Sequence, residues 1–129
     1  MKNVNIVCTS KPGDGLLHYS YEHCCFLNDL GINAKLVIVR HHKFTQQDYI
    51  NALNECYVKY ENVIFDSYIP RYEDITLIMG RSMLTLPYLS KSTYTNDQLL
   101  TLHLLFSGNL ISVYSENHVK EYPIALQYF

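Results

Sequence analysis

Lys11-Pro12-Gly13-Asp14-Gly15 sets a cation and two glycines directly ahead of an apolar stretch with helical spacing. At a helix N-terminus the free N–H groups and the helix dipole attract an anion, and Lys11 adds charge of the right sign. A phosphate-bearing ligand is the chemistry such a turn suits, although Asp14 opposes it. Neither familiar phosphate pattern is complete. The G-x-G is followed by Leu16 and Leu17 with no third glycine, and the G-K-[ST] of a P-loop is absent. The same residues also read as a glycine-rich turn that simply reverses the chain.

Two other clusters combine reactive side chains. Asp66-Ser67, with Arg71 nearby in sequence, could hold a sugar hydroxyl or orient a base; the same pair also reads as the cap of a turn, with Arg71 solvated. Ser115, Glu116 and His118 bring together a hydroxyl, a carboxylate and an imidazole suited to acid–base work. Ser115 as a helix cap, with Glu116 complementing the dipole, accounts for the first two without function. His41-His42 are adjacent, so in an extended chain they diverge, and no third metal ligand lies near them. His18 and His23, five apart, do not align on a helix, and His103 reads as a hydrogen-bonded core or boundary residue. No Ser-His-Asp, Cys-His or H-E-x-x-H arrangement is present, and no metal is expected.

These residues need a scaffold to position them. Val4 to Cys8 is an apolar run with β-branched residues, ended by the Pro and Gly of the first loop. Leu17, Ser20, Cys24 and Leu27 then recur on one helical face, with Gly31 placed to close the helix. Ala34 to Val39 is apolar almost without a break, as a strand covered on both faces should be. Thr45 with Asp48 predicts the start of a second helix, running to about Tyr57 with Tyr49, Ala52, Leu53 and Cys56 inward. Asn62 to Asp66 and Ile75 to Met79 read as further strands, and residues 80–92 fit strand, loop or short helix. Thr95 and Gln98 form a capping box ahead of an apolar helix closed by Gly108. A last strand follows over 109–114, and a terminal helix could start at Ser115. Strands alternating with helices predict a doubly wound, mostly parallel sheet of about five or six strands with helices on both faces.

The 129 residues suit one domain, 1–129, with one core. With 48% hydrophobic and 17% charged residues the chain is too apolar for disorder, yet it has no apolar run of about 18 residues that could span a membrane. A formal charge of -2 argues against a non-specific grip on nucleic acid. The start has no signal-peptide pattern, so the cytoplasm is the expected compartment. Cys8, Cys24, Cys25 and Cys56 lie in apolar segments without zinc-ligand spacing and read as reduced core residues. Twelve tyrosines are more than a core of this size needs, so some should face ligands or partners.

The opening forty or so residues resemble the N-terminal half of GT-B glycosyltransferases. There a first strand leads through a Gly-containing loop and a helix to a Gly-ended turn into strand two. Here the corresponding segments are Asn5-Ile6-Val7-Cys8, Gly13-Asp14-Gly15, Tyr19 to Leu30, and Gly31-Ile32-Asn33-Ala34-Lys35-Leu36-Val37. The resemblance implies an acceptor-side, Rossmann-like domain whose loop at Gly13 and Gly15 approaches a nucleotide-sugar donor across a cleft, with a sugar acceptor as partner and no resident cofactor. Such an enzyme needs a second domain with a paired-glutamate motif, for which this length leaves no room. The chain is therefore expected to be a fragment, a half that joins a second domain or another copy of itself, or a relative without catalysis, inactive alone. The competing expectations are a non-enzymatic module that binds a partner through exposed tyrosines, and a small nucleotide-binding protein of flavodoxin-like strand order.

Overall fold

The computed structural model describes residues 3–13, 15–54, 62–79 and 94–113. In chain order they form β1 (Val4–Cys8), α1 (Gly15–Asp29), β2 (Ala34–Ile38), α2 (Gln46–Asn54), β3 (Val63–Phe65), β4 (Ile75–Met79), α3 (Asn96–Ser107) and β5 (Asn109–Val113). The strands make one five-stranded sheet in the order β3-β2-β1-β4-β5, and every pairing is parallel. All five strands therefore point their carboxyl ends to one rim, and the turns after Cys8 and Phe65 share it. The turn after Tyr114, expected on the same rim, lies outside the described residues.

Strand residues alternate between two cores. Ile6, Cys8, Leu36 and Ile38 face α1 and α2, packing on Leu17, Tyr21, Cys24, Tyr49 and Leu53. Val7, Val37, Val39 and Ile78 face α3, packing on Leu102, Leu105 and Phe106. Because both faces are covered, β1 is buried along its whole length, which is why its sequence shows no polar alternation. The strand order is that of a Rossmann-like sheet and not the flavodoxin order, in which strand 3 lies beside strand 1.

Local chemistry explains the element ends. Gly31 has φ 83, and its N–H bonds to the Asn28 carbonyl at 3.0 Å while the Ile32 N–H reaches Leu27 O at 3.0 Å. This is a Schellman closure, and only glycine takes its left-handed φ without strain. The Asn28 amide group then ties the helix to β2, donating to Ala34 O at 2.9 Å and accepting from Ala34 N at 3.2 Å. At α2, Thr45 Oγ1 accepts from Asp48 N at 3.2 Å and Asp48 Oδ2 accepts from Thr45 N at 2.8 Å. Thr95 and Gln98 make the same reciprocal pair at α3. Gly108 ends α3 at φ -91, a conformation open to other residues.

Two expectations change, and a third lies outside the described residues. Helix α3 turns His103 outward, so it belongs to neither core nor boundary. Cys56, expected inward on α2, lies outside the described residues, whereas Cys8 and Cys24 are buried and free and Cys25 is half-buried and free. The passage from β3 to β4 crosses β2 and β1 without a helix, through residues 66–74, where a parallel crossover commonly takes a dozen residues or more. An extended segment suffices because it lies against α3. Tyr68 packs on the α3-side core and its N–H donates to Thr101 Oγ1 at 3.0 Å.

Candidate anion-binding rim

In an open parallel sheet the order reverses where consecutive connections leave one strand in opposite directions, and ligands settle at the carboxyl ends there. In this molecule that strand is β1: β2 and β3 extend the sheet to one side, β4 and β5 to the other. The loops after β1 and β2 stand side by side at the rim, tied by one phenol. Tyr49, fully buried on α2, donates from its hydroxyl to Ser10 O at 3.0 Å and accepts from His41 N at 3.1 Å. Burial pushes the Tyr49 hydroxyl up to about 12, so it stays protonated and keeps both bonds at neutral pH. Beneath it, Cys8 Sγ lies 2.9 Å from Ser10 Oγ.

Positive charge collects around this bridge. Lys11 and Lys43 are exposed, and neither ammonium has an ion pair among the described residues. His41 stacks on His42 with ring centroids 4.6 Å apart. Desolvation first, then the His42, Lys43 and Lys11 charges, hold His41 below the ordinary imidazole range. Lys43 and Lys11 disfavour a further proton there, and an anion among these groups would offset that penalty.

The next strand end is built for rigidity. Asp66 takes φ 68, a left-handed conformation that aspartate adopts more readily than most residues, which turns its carboxylate back across the rim. Its Oδ2 accepts from Arg40 Nε at 2.5 Å, and its Oδ1 accepts from Arg40 N at 3.1 Å and from Gln98 Nε2 at 2.7 Å. Gln98, while capping α3 with its carbonyl oxygen, also reaches Arg40 O at 3.3 Å. The Arg40 guanidinium is completed by Phe44 O at 3.1 Å. Both oxygens of Asp66 are thus occupied in locking β2, β3 and α3 together, which leaves it a positioning role.

The sequence-predicted residues separate accordingly. Lys11, Gly13 and Gly15 sit at the reversal point, and a Cβ added at either glycine would meet nothing within 4 Å, so the backbone there is open to an approaching group. Asp14 lies outside the described residues, as do Ser115, Glu116 and His118. Asp66 and exposed Ser67 share the rim two strands away. Arg71 does not join them. The crossover carries it to the opposite rim, where Arg71 N bonds Asp74 Oδ2 at 3.0 Å just before β4 begins. Arg40, His41 and Lys43 were not singled out by sequence reasoning for anion binding. Their signal was the run Arg40-His41-His42-Lys43 directly after a buried strand, which a parallel sheet delivers to the same rim as Lys11.

Among the described residues no group of three or more His, Cys, Asp or Glu could hold a metal ion, and no helix is long and apolar enough to cross a membrane. Fold and rim together define an α/β domain with a parallel, Rossmann-compatible sheet and a basic carboxyl edge. Comparison with known proteins adds no relative: no family model, no curated protein and no solved structure matches the chain.

Proposed function

We propose that this chain is a glycosyltransferase-like half-domain of the GT-B kind, which lends its basic rim to the phosphates of a nucleotide sugar and does not transfer sugar alone. The observation that carries the reading is the pair of loops, one bearing Lys11 and the other Lys43, that the Ser10–Tyr49–His41 bridge ties together beside the strand where the sheet order reverses, both ammoniums without an ion pair among the described residues. A diphosphate calls for several donors on neighbouring loops, and Lys11, Lys43 and the amino end of α1 would supply them. Transfer would need a second domain to close over the donor.

Calorimetric titration with UDP-glucose, GDP-mannose and FMN tests it. Saturable heat is expected with at least one sugar nucleotide, weakened by about tenfold or more in the Lys11→Glu, Lys43→Glu double variant. Binding of FMN alone, or silence with all three, sinks the proposal. Silence would favour the interaction-module reading, for which one observation speaks: Tyr19 and Phe26 on α1 and Leu30 in the turn that follows it are each more than half exposed (58%, 60% and 61%).

A further inference from the structure

The amino rim of the sheet holds a second site of different chemistry. Asp74, the residue before β4, is only 2% exposed. Its Oδ2 accepts from Arg71 N at 3.0 Å and from Asn5 Nδ2 at 3.4 Å. Its Oδ1 has no hydrogen bond: Arg71 Nε stands 3.5 Å away, too far and too poorly aimed to supply one. A carboxylate oxygen kept from water without a donor is costly, so a donor belongs there. Asp74 lines a cavity of about 210 Å³ between the crossover and the end of α3. Buried Asp74 and Thr76 form its inner part, Pro70 and Leu104 contribute apolar wall, and exposed Arg71 and Ser107 stand at its mouth.

Cavity, acid and guanidinium together present an acceptor for a cation deep inside and a cation for an acceptor further out. A simple amine would meet repulsion from Arg71, and a simple carboxylate would meet repulsion from Asp74. A ligand carrying an ammonium and a carboxylate on one carbon answers both charges at once. We propose that this cavity binds a small zwitterionic amino acid, its ammonium on Asp74 Oδ1, its carboxylate on the Arg71 guanidinium and its side chain against Pro70 and Leu104. Arg71 already has two ion-pair partners, Glu73 at 3.0 Å and Asp74 Oδ1 at 3.5 Å; the Glu73 pair, with both side chains more than half exposed, is weak enough for a ligand carboxylate to displace, and the Asp74 contact falls short of a hydrogen bond. The volume suits a residue of alanine or serine size, and the site is independent of the carboxyl rim.

The test is titration of the full chain, followed by NMR or calorimetry, with L-alanine, L-serine, ethanolamine and acetate. Saturable binding of alanine or serine is expected below about 10 mM, at least about tenfold tighter than ethanolamine or acetate. Arg71→Gln, a surface change that leaves the fold intact by circular dichroism, should erase the preference of the amino acids over ethanolamine. Asp74→Asn should abolish binding of both. If the amino acids do not saturate, water fills the cavity and the proposal fails; it fails equally if they bind no better than ethanolamine, or as well to the Arg71→Gln chain as to the parent.

Discussion

At the carboxyl rim the Asp66 carboxylate accepts from Arg40 Nε, from the Arg40 backbone and from Gln98, whereas at the amino rim the more deeply buried Asp74 keeps one oxygen without a hydrogen bond. Both acids lie within reach of an arginine, and both sit where a strand meets a loop. The difference is geometric. Arg40 follows β2 directly, and the left-handed turn at Asp66 aims the carboxylate at it along Nε, while Arg71 is carried on a short turn that offers Asp74 its backbone N–H well and its side chain poorly. A saturated carboxylate works as structure; an unsaturated one beside a cavity has capacity left for a ligand. Charged neighbours in sequence therefore predict little until their directions are known.

The strongest way to break this comparison is to remove the saturated acid. Asp66→Ala leaves the Arg40 backbone N–H and Arg40 Nε without their Asp66 acceptor and takes from Gln98 Nε2 the shorter of its two bonds, and should lower stability by about 2–3 kcal/mol in urea unfolding. Asp66→Asn keeps an acceptor oxygen and tolerates the left-handed φ, so a loss of about 1 kcal/mol is expected. Asp74→Asn should cost no more than that, because its amide can donate to the unpartnered Asn5 Oδ1. If Asp66→Ala proves as mild as Asp74→Asn, the carboxyl-rim network is not the lock described.

Much of the scaffold behind this contrast was legible beforehand. The unbroken apolar runs at Val4 and Ala34, the glycine closing α1 and the Thr95/Gln98 box each carry their signal within a few residues, because strand burial, a left-handed closure and helix caps are local requirements. The rims were harder to read. Arg40, Asp66 and Gln98 are brought together by a crossover that no local pattern marks, and Tyr49 gives no sign in sequence that its hydroxyl will clasp Ser10 and His41. Arg71 was misplaced for the same reason: five positions from Asp66 along the chain looks close, yet the extended crossover takes those positions from one rim to the other.

The clasp itself gives the next test, through alkali. Desolvation, reinforced by the neighbouring Cys25, pushes the Cys24 thiol from its ordinary 9.0 up to about 11, and desolvation pushes Tyr49 from 10.0 up to about 12. Above pH 9 the unfolded chain releases these protons before the folded chain does, so it holds fewer protons and stability falls as pH rises. The contribution is complete below about pH 9 and is lost progressively to about pH 12, on the order of 2–3 kcal/mol for each of the two groups. Urea midpoints between pH 8 and 11.5 would show the decline. Tyr49→Phe should remove its upper part, while costing about 1–2 kcal/mol at pH 7 through the unpaired His41 N–H. An alkaline profile identical in parent and variant would mean that Tyr49 is not the buried, protonated bridge between the two loops.

The smallest expected effect separates a glycine held by the fold from one left to a ligand. Gly31→Ala forces a Cβ into φ 83 and should cost about 1 kcal/mol, although nothing in space obstructs it. Gly13→Ala meets no atom within 4 Å and no left-handed backbone, so its stability should stay within about 0.5 kcal/mol of the parent. The two variants should exchange places in ligand titration. Gly31 lies at the far end of α1 from the basic rim, and its alanine variant should bind sugar nucleotides as the parent does. Gly13 lies in the loop between Lys11 and the start of α1, where an added methyl group would stand between backbone and phosphate, so its alanine variant should weaken binding by several-fold. If Gly13→Ala changes neither stability nor affinity, the loop is only a chain reversal and has no part in the proposed phosphate site.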